Sequence, residues 1–420
     1  MNTTASTYDI AIIGAGAAGC MAAIRASDGC RRVILIDKNQ AIGCKLLLTG
    51  HHRCNLTNTA SIDNMVAAFE HAGRFLKPSL LTFSNQHLQD FFARYGLALK
   101  VEDNGRVFPA TDRSRSVIAV LEELLKKNSV TTCFNTCVLD IEKNDDLFCL
   151  RTQDPVSIRA KKLIIATGGC SYPKTGSTGD GARFAKIFGH KTLTVFPALT
   201  PLKTEDAWAK SLQGISIKNV TVALIDRTKK VICGPGEMLF THFGVSGPLI
   251  LDISRSVLKA LAQKPTATLF LNFLPSTKPQ DLEKEILKAC SRPMASTVGD
   301  FLRDYLPKNV AKTLLTLITL PAEKRLNQIT KNERKALMMI LQKQPLTING
   351  CLSWESAMAT EGGVAMEDIN PKTMGSRLVP GLYFAGETIE GRGPSGGYNL
   401  QQAFSTGYLA GESAKKSLQE

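Results

Sequence analysis

Apolar positions along this chain change period several times, and each change marks an element. Tyr8 to Ile13 is a β-branched apolar run, Gly14 to Gly19 a glycine turn, Ala17 to Ala26 a small-residue helix pattern, and Val33 to Ile36 a second buried strand. Strand, helix and strand in that order make a βαβ unit, which builds a parallel sheet covered on both faces by helices. A long polar loop with glycines, Gly43 to Thr59, leads to helical patterns at His87 to Tyr95 and Ser114 to Lys127. Alternating stretches at Thr131 to Phe134, Val138 to Ile141 and Leu147 to Leu150 predict a β-meander. Leu163 to Ala166 is again a buried strand, running into Thr167-Gly168-Gly169.

Past Pro197 the texture differs. Val220 to Ile225, Val231 to Cys233 and Thr268 to Phe273 predict strands, and basic helical patterns fill Gln280 to Lys343, punctuated by Pro293, Pro307 and Pro321. From Leu346 strand and glycine signals resume, with a short strand at Leu382 to Phe384 and a closing helix from Tyr398 to Lys415. The expected organisation is therefore a first domain in two segments, 1–196 and 346–420, around an inserted domain at 197–345, its β part about 197–275 and its helical part about 276–345.

A chain of 420 residues, 44% hydrophobic and 21% charged, has the composition of a folded protein of two or three domains and excludes a disordered or collagen-like chain. No apolar run approaches the roughly 20 residues of a membrane span, and Met1 to Thr7 is polar with no leader pattern, so no membrane contact and a cytoplasmic location are expected. The eleven cysteines include no C-x-x-C pair, which argues for reduced thiols and against a zinc site or the cysteine pair of a disulfide reductase; no metal constellation is found. The formal charge is +14, and residues 197–345 hold 22 Lys+Arg against 12 Asp+Glu. Such a field suits a polyanion such as RNA, while the plain alternative is a set of solvated helix faces. Lys324, Arg325, Lys331, Arg334, Lys335 and Lys343 are the expected backbone contacts.

Candidate chemistry begins at Gly14-Ala15-Gly16-Ala17-Ala18-Gly19, a G-x-G-x-x-G run between a strand and a helix. The first glycine allows the tight turn, the second lets backbone approach a pyrophosphate, and the third lets helix and strand pack closely. The helix N-terminus then offers unpaired N–H groups to the anion. Asp37, at the end of the second strand, is placed to take the hydroxyls of an adenosine ribose. The motif alone does not separate FAD from NAD. Gly386-Glu387, followed by Gly396-Gly397-Tyr398-Asn399 opening a helix, points to FAD. In FAD proteins of this architecture the ribityl and pyrophosphate pass such a Gly-acid pair, and a helix N-terminus faces flavin N1 and O2. Its dipole there stabilises negative charge by a fraction of a kcal/mol to about 2 kcal/mol.

Several further runs are shared with one family: Gly43-Cys44-Lys45-Leu46-Leu47-Leu48-Thr49-Gly50 into Arg53-Cys54-Asn55-Leu56-Thr57-Asn58, Ala166-Thr167-Gly168-Gly169 with Ser171-Tyr172-Pro173-Lys174-Thr175-Gly176 and Gly179-Asp180-Gly181, Thr241-His242-Phe243-Gly244-Val245-Ser246-Gly247-Pro248, and Gly386-Glu387 through Gly396-Gly397-Tyr398-Asn399-Leu400-Gln401. Across nearly its whole length, and in order, the chain resembles the bacterial BaiN/YhiN-type flavoproteins, described as aminoacetone oxidase, bile-acid enone reductase and ribosomal RNA dihydrouridine synthase. The resemblance implies an α/β fold: an FAD-binding Rossmann-like domain of glutathione-reductase type in two segments, with an inserted β-barrel-like domain and a helical subdomain. One departure is His51-His52 before Arg53, where the family usually has small residues.

The expected FAD contacts are Gly14, Ala15, Gly16, Ala18, Gly19, Asp37, Gly168, Gly386, Glu387, Gly397, Asn399 and Leu400 from these motifs. By analogy Lys45, Arg53 and Asn55 reach FAD phosphates or the isoalloxazine edge, and backbone at Val138 touches adenine. Reduction of a C=C conjugated to a carbonyl needs an acid as well as hydride, and Cys54, Tyr172, His242 and Tyr398 are the candidates. The expected activity is that of an FAD-dependent oxidoreductase using NADH or NADPH, with uridine in ribosomal RNA as the preferred substrate. The alternative is an oxidase or enone reductase of a small metabolite.

Overall fold

A computed structural model of the chain describes residues 6–27, 29–153, 157–226, 229–291 and 296–419. The chain forms two compact units, Met1–Pro197 with Ala357–Glu420, and Ala198–Ser356.

In the first unit the strand Ser6–Ile13 lies at the centre of a seven-stranded sheet, parallel to Val33–Ile36 on one side and to Ser157–Ile165 on the other. Val33–Ile36 is buried along its whole length, as a strand covered on both faces must be, which is why it is apolar without alternation. Ser157–Ile165 continues antiparallel into Leu147–Thr152 and Val138–Asn144. Thr131–Cys133 differs from expectation: it does not join this meander but runs parallel to Val33–Ile36 at the opposite edge. Three residues carry too little periodicity to choose between two edges of one sheet. Leu382–Phe384 pairs parallel with Leu163–Ile165, so the late segment completes the early sheet.

The two ends of the chain are also locked by helices. Ala17–Ala26 packs against Tyr398–Lys416 almost backbone to backbone. A Cβ on Gly407 would fall 2.2 Å from the Ala18 carbonyl oxygen, and one on Gly411 would fall 2.4 Å from that of Ala22. A small antiparallel sheet of Thr57–Asn58, Arg106–Pro109 and Leu99–Val101 anchors the end of the Gly43 to Thr59 loop.

The second unit is a closed six-stranded barrel, in the order Leu202–Thr204, Gly244–Ser246, Lys229–Thr241, Ser216–Asp226, Ala267–Asn272 and Gln344–Cys351. The helix Pro248–Leu261, which the sequence reading missed, packs against the barrel, and Pro279–Cys290, Val298–Arg303, Lys308–Leu317 and Lys331–Gln342 form the helical part. Gln344–Cys351 corrects the expected boundary at 346: it pairs with Ala267–Asn272 and Leu202–Thr204 and closes the barrel, so the second segment of the first unit starts at Ala357. Its alternation of buried Gln344, Leu346 and Ile348 with more exposed residues suits a half-buried strand, but the period does not name its sheet.

Two expected RNA contacts are also corrected here. The Lys324 ammonium is held by both oxygens of Glu333, at 2.7 and 2.9 Å, and Arg334 is drawn to Glu283 with only 18% of its side chain exposed. Both serve the fold of the helical part. Arg325, Lys331, Lys335 and Lys343 are exposed, Lys343 with its ammonium 5.2 Å above the Phe270 ring.

Candidate cofactor cleft

A cleft of about 1220 Å³, part of it open to solvent, lies in the first unit at the C-terminal ends of Ser6–Ile13 and Val33–Ile36, where open α/β sheets bind ligands. Its floor is the glycine turn. Gly14 has φ +101°, and a Cβ there would sit 2.5 Å from the Ala166 carbonyl oxygen; a Cβ on Gly19 would sit 1.8 Å from that of Gly14. At Gly16 a Cβ would meet nothing within 4 Å. The three glycines thus do different work: the outer two let protein backbones meet, and the middle one faces open space. The helix Ala17–Ala26 starts at Gly16 with no side-chain cap, leaving its first N–H groups for a ligand. Thr167 lines the same cleft with a buried hydroxyl that has no hydrogen-bond partner. Open backbone, uncapped dipole and orphaned hydroxyl together fit a bound pyrophosphate.

Asp37 stands at one end. Its Oδ2 accepts the Ala15 N–H at 2.6 Å, and its Oδ1 accepts both the backbone and side-chain N–H of Asn39 at 2.8 Å. A carboxylate oxygen has two acceptor directions, so Oδ2 keeps one for a ribose hydroxyl. Further along, the Lys45 ammonium pairs with Glu387 and also reaches the Ser171 hydroxyl. The other oxygen of Glu387 accepts from Ser171 at 3.1 Å and from the Thr360 N–H. Gly386, with φ +69°, approaches the first helix so closely that a Cβ would be 2.8 Å from that of Ala18. Asn399, Leu400, Gln402 and Ala403 of the closing helix complete the wall.

Of the expected cofactor residues, Gly14, Ala15, Gly16, Ala18, Asp37, Lys45, Val138, Gly168, Gly386, Glu387, Asn399 and Leu400 line this cleft. The others are placed elsewhere. Gly19 is consumed by helix–strand packing, and Gly397 caps the closing helix with φ +100°, where a Cβ would be 2.3 Å from the Thr57 carbonyl oxygen. The Asn55 amide, oriented to satisfy both its ends, donates to the Thr57 and Val107 carbonyls and accepts from the Gly397 N–H at 3.0 Å, joining the loop to that cap. Arg53 does not line the cleft: its guanidinium grips Glu102 with two bonds of 2.8 and 2.9 Å, reaches Asp112 at 3.2 Å and lies 4.0 Å above the Phe108 ring. Three hydrogen bonds of the fork are thus committed to carboxylates.

None of the four expected proton donors lines the cleft. Cys54 is fully buried, and burial pushes its thiol up to about 12. Tyr172 is half-buried in the left-handed conformation, and burial raises its phenol, so it stays protonated at neutral pH. Tyr398 packs edge-on against Phe69, with ring centroids 6.3 Å apart. His242 is exposed on the barrel unit beside Phe243. A thiol held neutral far above the working range predicts that Cys54→Ala leaves the pH–rate profile between pH 6 and 9 unchanged; a lost basic limb would identify the thiol as the acid after all.

The cleft also recruits residues that were not among the expected contacts, among them Lys38, Asn39, Thr49, Asp180 and Gln402. Two signals were available. Lys38 and Asn39 directly follow the ribose acid, and Gln402 is one turn beyond Asn399 on the same helix face.

The comparisons with known proteins bear on this geometry. Residues 8–413 match the family model described as HI0933-like protein Rossmann domain. The chain belongs to the HI0933-like family. Within it, the chain is 32% identical over 409 residues to a 3-dehydro-bile acid delta(4,6)-reductase of Clostridium scindens, covering 96% of this chain and 98% of that one. It is 30% identical over 405 residues to a ribosomal RNA dihydrouridine synthase of Escherichia coli, covering 96% and 97%. Among solved structures, a 3-ketosteroid-delta4-(5alpha)-dehydrogenase from Rhodococcus jostii matches 99% of this chain and 98% of its own, with TM-score 0.53 and 14% identity, which establishes a shared fold. An open-form flavocytochrome c3 fumarate reductase matches 99% of this chain and 79% of its own, with TM-score 0.54 and 17% identity. This HI0933-like protein therefore has an FAD-binding Rossmann-type fold and is an FAD-dependent oxidoreductase. Among the described residues no cluster of side chains fits a metal ion, and no helix is long and apolar enough to cross a membrane.

Proposed function

We propose that this protein reduces uridine in ribosomal RNA to dihydrouridine in the cytoplasm, with NADH or NADPH as reductant. The balance is NAD(P)H, a proton and uridine giving NAD(P)⁺ and dihydrouridine. FAD, when bound, supplies the hydride chemistry. The chain's own part is to hold it: the Gly14–Gly19 turn and first helix at the pyrophosphate, Asp37 at the ribose, and the Tyr398–Lys416 helix as the wall of the cleft.

The observation that carries the reading is the charge of the second unit. Residues 198–356 hold 22 Lys+Arg against 13 Asp+Glu, a net of +9, against +5 for the rest. Its helices also place lysines four apart on exposed faces, Lys284 with Lys288, Lys308 with Lys312, and Lys331 with Lys335. Each such like-charge pair costs about 0.2–0.5 kcal/mol of helix stability in isolation, a cost that a polyanion removes on binding. The relatives named as ribosomal RNA dihydrouridine synthases support the same reading. The target base has to be unpaired or flipped, because hydride chemistry cannot reach it inside a helix.

The decisive experiment is mass spectrometry of ribosomal RNA from cells lacking the gene. One uridine heavier by two hydrogens is expected to disappear and to return on complementation; an unchanged set of dihydrouridines would exclude the reading. In binding assays with ribosomal RNA fragments, log affinity is expected to fall steeply with log salt. The double change Lys331→Glu with Lys335→Glu should flatten that slope by about 1.4 to 1.8, from roughly 0.7–0.9 per lost phosphate contact.

A second reading, reduction of an enone in a small metabolite, is favoured by the bile-acid reductase relative. Under it, the fragments would not bind even at low salt, and the mutant ribosomal RNA would be normal.

A further inference from the structure

The adenosine end of the cleft is closed by three segments distant in sequence. They are the end of the second strand (37–39), the run 133–138, and the glycine-rich stretch 172–180. The first two are joined by backbone: the Asp37 N–H donates to Cys133, Thr136 to Asp37 and Asn135 to Asn39, each at 2.9 Å. The third is held differently. Its backbone bonds, Thr175 to Tyr172, Gly176 to Pro173 and Gly179 to Gly169 just upstream, do not reach the second strand. Left-handed Tyr172, Gly176 and Gly179 keep it out of any sheet. Its ties to the second strand are side chains. Lys38 donates to Thr178 Oγ1 at 2.7 Å and pairs with Asp180, which also accepts from Thr178 at 3.1 Å. Asn39, itself fixed by Asp37, donates to the Thr175 carbonyl at 3.0 Å. The fit is tight, since a Cβ on Gly176 would fall 2.6 Å from the Asn39 amide nitrogen. On the outer side Arg183 approaches Asp180 at 3.8 Å and donates to the Leu139 carbonyl at 2.7 Å, linking the loop's helix to the end of the second segment.

We infer that Lys38, Asn39 and Asp180 form a polar clasp over the adenosine half of FAD and set the rate at which the cofactor leaves. The inference rests on FAD lying with its ribose at Asp37. Lys38, Asn39, Thr175, Gly176 and Asp180 all line the cleft beside that carboxylate, so opening the clasp opens the cleft. The Lys38 and Asp180 side chains are 30% and 21% exposed, so salt can still reach the pair. These are positioning residues: they hold a loop, and the loop holds the ligand.

The test compares Lys38→Met and Asp180→Asn with the wild-type protein. Release of FAD, followed by the rise in flavin fluorescence, is expected to be about tenfold faster in both variants, and the wild-type acceleration of release by salt should vanish. Titration of the apoprotein separates a clasp from a general loosening. Affinity for ADP, which carries the adenosine arm, should fall about tenfold, while affinity for FMN, which lacks it, should stay within twofold. Asn39→Ala serves as a milder third variant if a charge change impairs folding. Release within twofold of wild type in all three, or equal losses for ADP and FMN, would overturn the clasp. Wild-type protein that takes up no FAD would overturn the cofactor reading and the clasp together, whereas normal uptake with unaltered release overturns the clasp alone.

Discussion

Gly16→Val is expected to give a stable protein that has lost FAD, and Gly19→Val a protein that has lost both. The two glycines are three residues apart in one motif, yet they face opposite ways. Gly16 has φ −79° and ψ −170°, a conformation open to any residue, and its Cβ position is empty of protein atoms. A valine there meets only what enters the cleft, so the melting temperature should stay close to wild type. The lost approach to the pyrophosphate should weaken FAD by two orders of magnitude or more, about 3 kcal/mol. At Gly19 the new atom would overlap the Gly14 carbonyl oxygen at 1.8 Å, which is backbone and cannot rotate away. The first helix would have to lift off the strand, and with it the Gly407 and Gly411 contacts of the closing helix, so a loss of at least about 3 kcal/mol is expected. Thermal melts together with the flavin absorbance of the purified proteins distinguish the two cases. A Gly16→Val protein that still carries FAD would show that the cofactor does not cross this turn.

The second large effect is expected at Glu387. Removing it by Glu387→Ala leaves the Lys45 ammonium about one-fifth exposed with only the Ser171 hydroxyl as partner, and deprives the Thr360 N–H of its acceptor. Breaking a buried pair costs about 3–5 kcal/mol; the partial exposure of both groups reduces this to about 2–3 kcal/mol. Lys45→Met with Glu387→Ala should lose less stability than the two single changes summed, because no lone charge remains. Chemical denaturation of the four proteins measures the difference, and strict additivity would show that the ion pair does not hold the segments 43–49 and 386–388 together.

Much of the fold and most of the cleft were legible because both rest on local signals. The first strand, helix and second strand are contiguous, their burial is written in unbroken apolar runs, and the glycine pattern needs only its own six residues. The closing helix and its Gly-acid pair were equally local. What escaped depends on partners far along the chain. Thr131–Cys133 and Gln344–Cys351 have strand composition, but a strand's period does not say which edge it joins. Arg53 sits where a phosphate ligand is expected; only the folded chain brings Glu102, Asp112 and Phe108 around it. Cys54 carries a reactive group in a shared motif, and its burial follows from packing that no spacing encodes. Lys38 and Asp180 are 142 residues apart, and nothing in either neighbourhood announces the other.

The central claim is that the cleft running from Asp37 past Gly16 to the start of the closing helix holds one whole FAD. Acid release of the bound nucleotide from purified or reconstituted protein, with chromatographic identification and a count against protein concentration, tests it most directly. The expected result is FAD at one molecule per chain. FMN in its place, or a protein that stays colourless after reconstitution, would contradict it.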